Sequence, residues 1–123
     1  MSGRVLPVVF VDDVSAYARF LIEAFGFQPG EHWTDETDPE HVNVEVHLGP
    51  STVSICRASP DREEKSLDDH FGFYVEVEDV ETHLENAVAR GATITSPLER
   101  QPWGKRMYGA RDPAGYGWSF AGP

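Results

Sequence analysis

Cysteine occurs once in this chain, at Cys56. A single thiol cannot close an internal disulfide, and it cannot build a cysteine-rich zinc site. Cys56 stands in the strand-like run STVSICRA, so a buried, inert thiol is expected. Basic residues are also scarce: 10 Lys and Arg face 21 Asp and Glu, a formal net charge of −11. Nucleic acids and anionic bilayers both need cations to meet their phosphates, so neither partner is expected. A cationic partner is permitted, and solubility alone also explains such a charge. No apolar run approaches the roughly 20 residues of a membrane-spanning helix. The opening MSGRVLPVVFVDD lacks an apolar segment followed by a cleavage site, which leads to the expectation of a cytoplasmic protein. G-x-S-x-G, a Cys/His signature and a glycine-rich phosphate loop are all missing.

What is present is an internal repeat in a chain of 123 residues, long enough for one domain with a real core. VFVDDVSAYARFLIEAFGF (9–27) resembles VEVEDVETHLENAVARGAT (75–93). Val11 and Val77, Asp13 and Asp79, and Val14 and Val80 are each separated by 66 residues. In both copies an alternating strand ends at an aspartate able to cap a helix. The first helix then carries an apolar stripe of Val14, Ala18, Leu21, Ile22 and Phe25. The second carries Val80, Leu84, Ala87 and Val88. Gly26 and Gly91 follow as left-handed C-caps. Each helix is followed by a hairpin: HVNVEVHLG with STVSICRA, and KRMYGARD with YGWSFA around the turn Asp-Pro-Ala-Gly. The pattern reads as β-α-β-β-β twice. It predicts an α+β fold of two modules, 1–58 and 70–123, joined by a charged linker at 59–69. Residues 28–40, QPGEHWTDETDPE, read as an acidic loop.

Several side chains are candidates for chemistry. His41, Asn43, Glu45 and His47 alternate with valines, so they share one strand face. A solvated face over a valine core is the favoured reading of that set. His41 and His47 would be nearly 20 Å apart at about 3.3 Å per residue and cannot share an ion, which leaves Glu45 with His47. Trp33 is isolated among acids; it either packs on its own sheet or forms a lid suited to a cation. Trp103 lies in a Pro-Trp-Gly turn and is the first choice for a ligand contact. Arg106 and Tyr108 share a face of the next strand. Trp118 and Phe120 are expected in the core, with Ser119 facing the other way. His32 and His83 are expected to be exposed bystanders, His83 because it falls off the apolar stripe.

The doubled βαβββ unit, VDDV and VEDV opening the helices, and RDPAGYGWSFA near the C-terminus resemble the vicinal oxygen chelate superfamily. That group includes glyoxalase I, extradiol dioxygenases, and fosfomycin and bleomycin resistance proteins. RQPWGKRMYGARDPAG is similar to the C-terminal motif of the bleomycin-resistance-type binders. The resemblance implies curled mixed sheets forming a concave cleft, with helices on the outside. It also implies a homodimer, with modules exchanged between chains in some members, and ligand cavities at the dimer interface.

In the enzymes of the group, inward His or Glu side chains on the first and last strand of each module hold a divalent metal. Those positions fall here near Leu6, near Gly72, near Ile55 or Ser54, and at Ser119, none of which is a usual ligand. The resemblance therefore implies a binder without metal, cofactor or catalytic residues. It would sequester a small aromatic or cationic molecule, such as an antibiotic, through Trp33, Glu45, His47, Trp103, Arg106, Tyr108 and Ser119. The alternative is a metal-dependent lyase, isomerase or dioxygenase with non-standard ligands such as His47, Glu45 and His70.

Overall fold

The computed structural model of the chain describes residues 6–34, 42–58 and 72–123. The elements run β1 (Val8–Val11), α1 (Val14–Phe25), β2 (Gln28–Thr34), β3 (Val42–Leu48), β4 (Ser51–Arg57), β5 (Gly72–Glu76), α2 (Val80–Ala89), β6 (Thr93–Arg100), β7 (Arg106–Arg111) and β8 (Gly117–Gly122). The duplicated βαβββ reading holds. The strands make two four-stranded mixed sheets, ordered β1-β4-β3-β2 and β5-β8-β7-β6. In each, the first strand pairs in parallel with the last, and the other pairings are antiparallel. The chain divides into two compact units. One carries β1–β4 with α1 as far as Ile22, and the other carries β5–β8, α2 and the last turn of α1, Glu23–Phe25. The expected linker at 59–69 lies outside the described residues.

Local chemistry fixes both helix starts and stops. Asp13 accepts from the Ala16 amide at 3.0 Å, and Asp79 accepts from the Thr82 amide at 3.1 Å. The Thr82 hydroxyl adds a second bond to Asp79, and these bonds hold its carboxyl below the usual range. After α1, Gly26 takes the left-handed conformation at φ 83°. After α2, Gly91 does so at φ 90°.

Two expectations need correction. Residues 28–34 form a strand, not the start of a loop. Pro29, Gly30 and the charged neighbour Glu31 hide any alternation, and the register of β2 on β3 shifts between Pro29 and His32. An edge strand with a bulge tolerates such a sequence because its outer amides need no partner. On α2, Val88 is 55% exposed, while Val80 and Ala87 are buried. The buried stripe runs through His83 instead, and 80–83–87 fits a helical face as well as 80–84–88 does.

Two cores result. The first unit buries Val9, Val11, Leu21, Val46 and Ile55. The second packs Phe25 against Trp118 and Phe120, with ring centroids 5.2 and 4.9 Å apart, and stacks Phe73 on Trp118 at 4.0 Å. Trp118 and Phe120 are core residues, as expected from the sequence.

The β7–β8 turn is tied by one buried carboxylate. Oδ1 of Asp112 accepts from the amides of Ala114 and Tyr116, at 2.9 and 3.0 Å, and Oδ2 accepts from the Trp118 indole at 2.8 Å. The Arg-Asp-Pro-Ala-Gly sequence thus also orients the central tryptophan of the core. Replacing Asp112 with Ala would leave the buried indole N–H without its acceptor. Asp112→Ala is expected to lower unfolding stability by about 2–4 kcal/mol. Urea denaturation followed by fluorescence measures this, and an unchanged midpoint would show that the carboxylate is dispensable.

Candidate functional site

Period-two alternation gives each sheet a core face and an opposite, open face. In the first unit the open face carries Val8, Phe10, Ser54 and Cys56, with Asn43, Glu45 and His47 beside them. Val8 and Phe10 are exposed large apolar residues on this face. The polar groups largely satisfy one another. The Ser54 hydroxyl donates to Asn43 Oδ1 at 2.8 Å, and His47 Nδ1 lies 2.8 Å from the Thr52 hydroxyl. Cys56 is half-buried rather than buried, and its sulfur lies 3.9 Å from the Ser54 hydroxyl. The His47 ring lies over the bulge of β2, where a Cβ on Gly30 would come 2.5 Å from Nε2. Glu45 is half-buried and sits opposite Ser54. Of the two β4 positions considered for a ligand, the register places Ile55 in the core and Ser54 on the opposite face, where it is covered to 4% exposure.

In the second unit Ser119 is flanked by Tyr74 on one side and Gly109 on the other. It therefore occupies the same place in its sheet as Ser54 does between Val8 and Glu45. Tyr74 is 52% exposed. The β6 strand bulges between Ile94 and Ser96. This brings the hydroxyls of Thr95 and Ser96 over Gly109, where a Cβ would meet them at 2.8 and 2.5 Å. Lys105 pairs with Glu76 at 3.1 Å.

Arg106 and Tyr108 do share a face, but it is the core face, opposite Ser119. Tyr108 pairs with Phe120, while Gly109 faces Ser119. The Arg106 guanidinium donates to the Pro123 carbonyl at 3.0 and 3.3 Å and lies 3.8 Å from Glu81. Tyr108 is wholly buried, so the expectation that these two residues join Ser119 in lining one cavity is corrected by the strand's own alternation. Trp103 is 58% exposed in the tight turn between β6 and β7, which is closed by Gly104 N–H to the Gln101 carbonyl at 2.9 Å. Trp33 lies in β2, with its backbone opposite Asn43. His41 and His70 lie outside the described residues.

His83 is the residue that sequence reasoning placed wrongly. It is half-buried, and its ring centroid lies 4.2 Å from that of Phe120. Nε2 donates to the Phe25 carbonyl at 3.0 Å, so in the neutral ring Nδ1 accepts from the Tyr108 hydroxyl at 2.5 Å. Burial lowers the His83 pKa from its ordinary 6.5, and the bond to Phe25 opposes that shift only in part. Burial also pushes the Tyr108 phenol well above its usual value. Both groups are therefore neutral near pH 7, as the tautomer requires. Their role is to satisfy a polar seam inside the aromatic core.

The chain belongs to the Glyoxalase/Bleomycin resistance protein/Dioxygenase superfamily, whose family model matches residues 4–120. It is 38% identical over 123 residues to an uncharacterized protein of Mycobacterium bovis, an alignment covering 95% of this chain and 81% of that one. Among solved structures it is similar to TioX from Micromonospora sp. ML1. The identity is 25% and the TM-score 0.75, with 98% of both chains covered. It shares the fold of the fosfomycin resistance protein FosX from Listeria monocytogenes at 13% identity and a TM-score of 0.73. That match covers 100% of this chain and 93% of FosX. No helix among the described residues is long and apolar enough to cross a membrane.

The His83 shift has a defined sign. The folded imidazole binds its proton less readily than the unfolded one. The stability it confers is present above the ordinary value of 6.5 and is lost as pH falls below that value. Unfolding midpoints in urea should therefore drop between pH 7.5 and pH 5, and the drop should be smaller in His83→Leu. Parallel pH profiles for the two proteins would refute this role.

Proposed function

We propose that this protein binds a small planar molecule on the open faces of its sheets, without a divalent metal, in the antibiotic-sequestering manner of its superfamily. A second copy of the chain would complete the cavity, as isologous dimers do. The observation that carries this reading is the donor set. Of the positions at which a metal would be held, Ser54 and Ser119 sit on open faces, Leu6 precedes β1, and Gly72 opens β5. None bears an imidazole or a carboxylate, and neutral hydroxyls are poor ligands for divalent ions. Among the described residues no three His, Cys, Asp or Glu side chains come together. These residues do not fit a divalent ion, and no chemical step is assigned through one.

The same faces are suited to binding. They offer exposed rings and aliphatics (Phe10, Val8 and Tyr74) next to hydroxyls, a mixture that supplies contact area and orientation together. Trp103, exposed in its turn, is a further stacking surface for a longer ligand.

Equilibrium titration of the dialysed protein with planar antibiotics, followed by tryptophan fluorescence, tests the reading. Saturable binding is expected with and without a chelator. Binding or turnover that appears only on addition of manganese, nickel or zinc would replace this reading with the metalloenzyme alternative.

A further inference from the structure

The repeat is broken at one place in its helices, and the break has two matching halves. Helix α1 has 12 residues and α2 has 10. At the 66-residue offset the last two residues of α1, Ala24 and Phe25, correspond to Arg90 and Gly91, which lie beyond the end of α2. Those two residues, with Glu23, form the part of α1 that belongs to the second unit. On α2, His83 and Asn86 stand where α1 has two aromatic residues, Tyr17 and Phe20. One helix thus carries added length, and the other carries added hydrogen-bond donors.

The two halves meet. A helix end leaves its last carbonyls without partners inside the helix. Those of α2 are taken in part by the amides that follow: Arg90 N–H donates to Asn86, Gly91 to Val88 and Ala92 to Ala87, at 2.9–3.1 Å. At the end of α1, three carbonyls are taken by side chains of α2 instead. The Asn86 amide donates to the Glu23 and Ala24 carbonyls at 2.9 and 3.2 Å, and His83 Nε2 donates to that of Phe25 at 3.0 Å. His83 and Asn86 are three residues apart, so they project from the same side of α2. Beneath this cap the Phe25 side chain is wholly buried. It lies against Trp118, Phe120 and the His83 ring, the last at a centroid distance of 6.4 Å. The second unit therefore does not find a complete core within its own continuous stretch, 64–123.

We infer that the last turn of α1, Glu23–Phe25, is a strap that seats in the second unit as one piece, and that β7 and β8 depend on it for their order. Phe25 fills the aromatic core while His83 and Asn86 hold the backbone that carries it. Phe25 rests on the core side of β8, and the other side of that strand carries Ser119. Order at the second open face is thereby tied to a residue from the first copy of the repeat. This inference stands apart from the binding function proposed above.

Amide hydrogen exchange of the full chain, read by mass spectrometry, tests the strap. Two substitutions loosen it from opposite sides. Phe25→Leu keeps an apolar side chain in the core and removes the ring contacts. Asn86→Ala removes the cap from an exposed position, where the fold tolerates the change. Each should speed exchange in β7 and β8 by about three- to tenfold, and by at least as much as in β3 and β4. The double variant should gain less than the product of the two factors, because a segment that seats as one piece is already released by either change. Unchanged exchange in β7 and β8 in either single variant, or a larger effect in β3 and β4, would overturn the dependence of the second unit on the strap. Full multiplication of the two factors would overturn its seating as one piece.

Discussion

The two-residue period of the strands decides nearly every role in this protein. Once Trp118 and Phe120 enter the core, Ser119 must face away from it, and the register of β7 and β5 then fixes its neighbours. The same rule, applied to β4, sends Ile55 inward and Ser54 outward. It also forbids combinations that look attractive in the sequence. Arg106 and Tyr108 cannot serve the face that holds Ser119, because a strand offers alternate residues to opposite sides.

That alternation holds only if the core accepts polar groups without orphaning them. The second unit does so at two points. Asp112 supplies acceptors for two turn amides and the Trp118 indole, so a wide aromatic ring can be buried with its N–H satisfied. His83 bridges the Tyr108 hydroxyl and the Phe25 carbonyl, so a buried phenol and a helix-end carbonyl are satisfied by one ring. Around these two knots the rings of Phe25, Phe73, Trp118 and Phe120 pack at centroid distances of 4.0–6.0 Å. Buried aromatic pairs at such spacings each add roughly 0.5–1.5 kcal/mol beyond the area they bury. The polar seam costs little because every member is matched.

Much of the fold could be read from the chain. The 66-residue offset, the paired aspartate caps and the glycine stops point to the two modules, and strong alternation marks β3, β4, β7 and β8. What escaped was carried by weak or degenerate signals. Gln28–Thr34 is a bulged edge strand whose proline and glycine look like loop residues. His83 was misplaced because stripes at 80–83–87 and 80–84–88 are equally helical, and only packing chooses between them. The site was less legible than the fold. Whether Ser54 or Ile55 faces away from the core depends on a one-residue register that only the pairing with β1 and β3 fixes.

The net charge of −11 and the chemistry of the open faces bear on different stages of binding. Net charge acts at long range, is screened beyond roughly 8–10 Å in physiological salt, and governs encounter and solubility. Affinity is set by the few groups within contact distance. Around Ser119 those groups include the Tyr74 ring on one side and the backbone of Gly109 on the other. An acidic surface therefore does not by itself call for a cationic ligand.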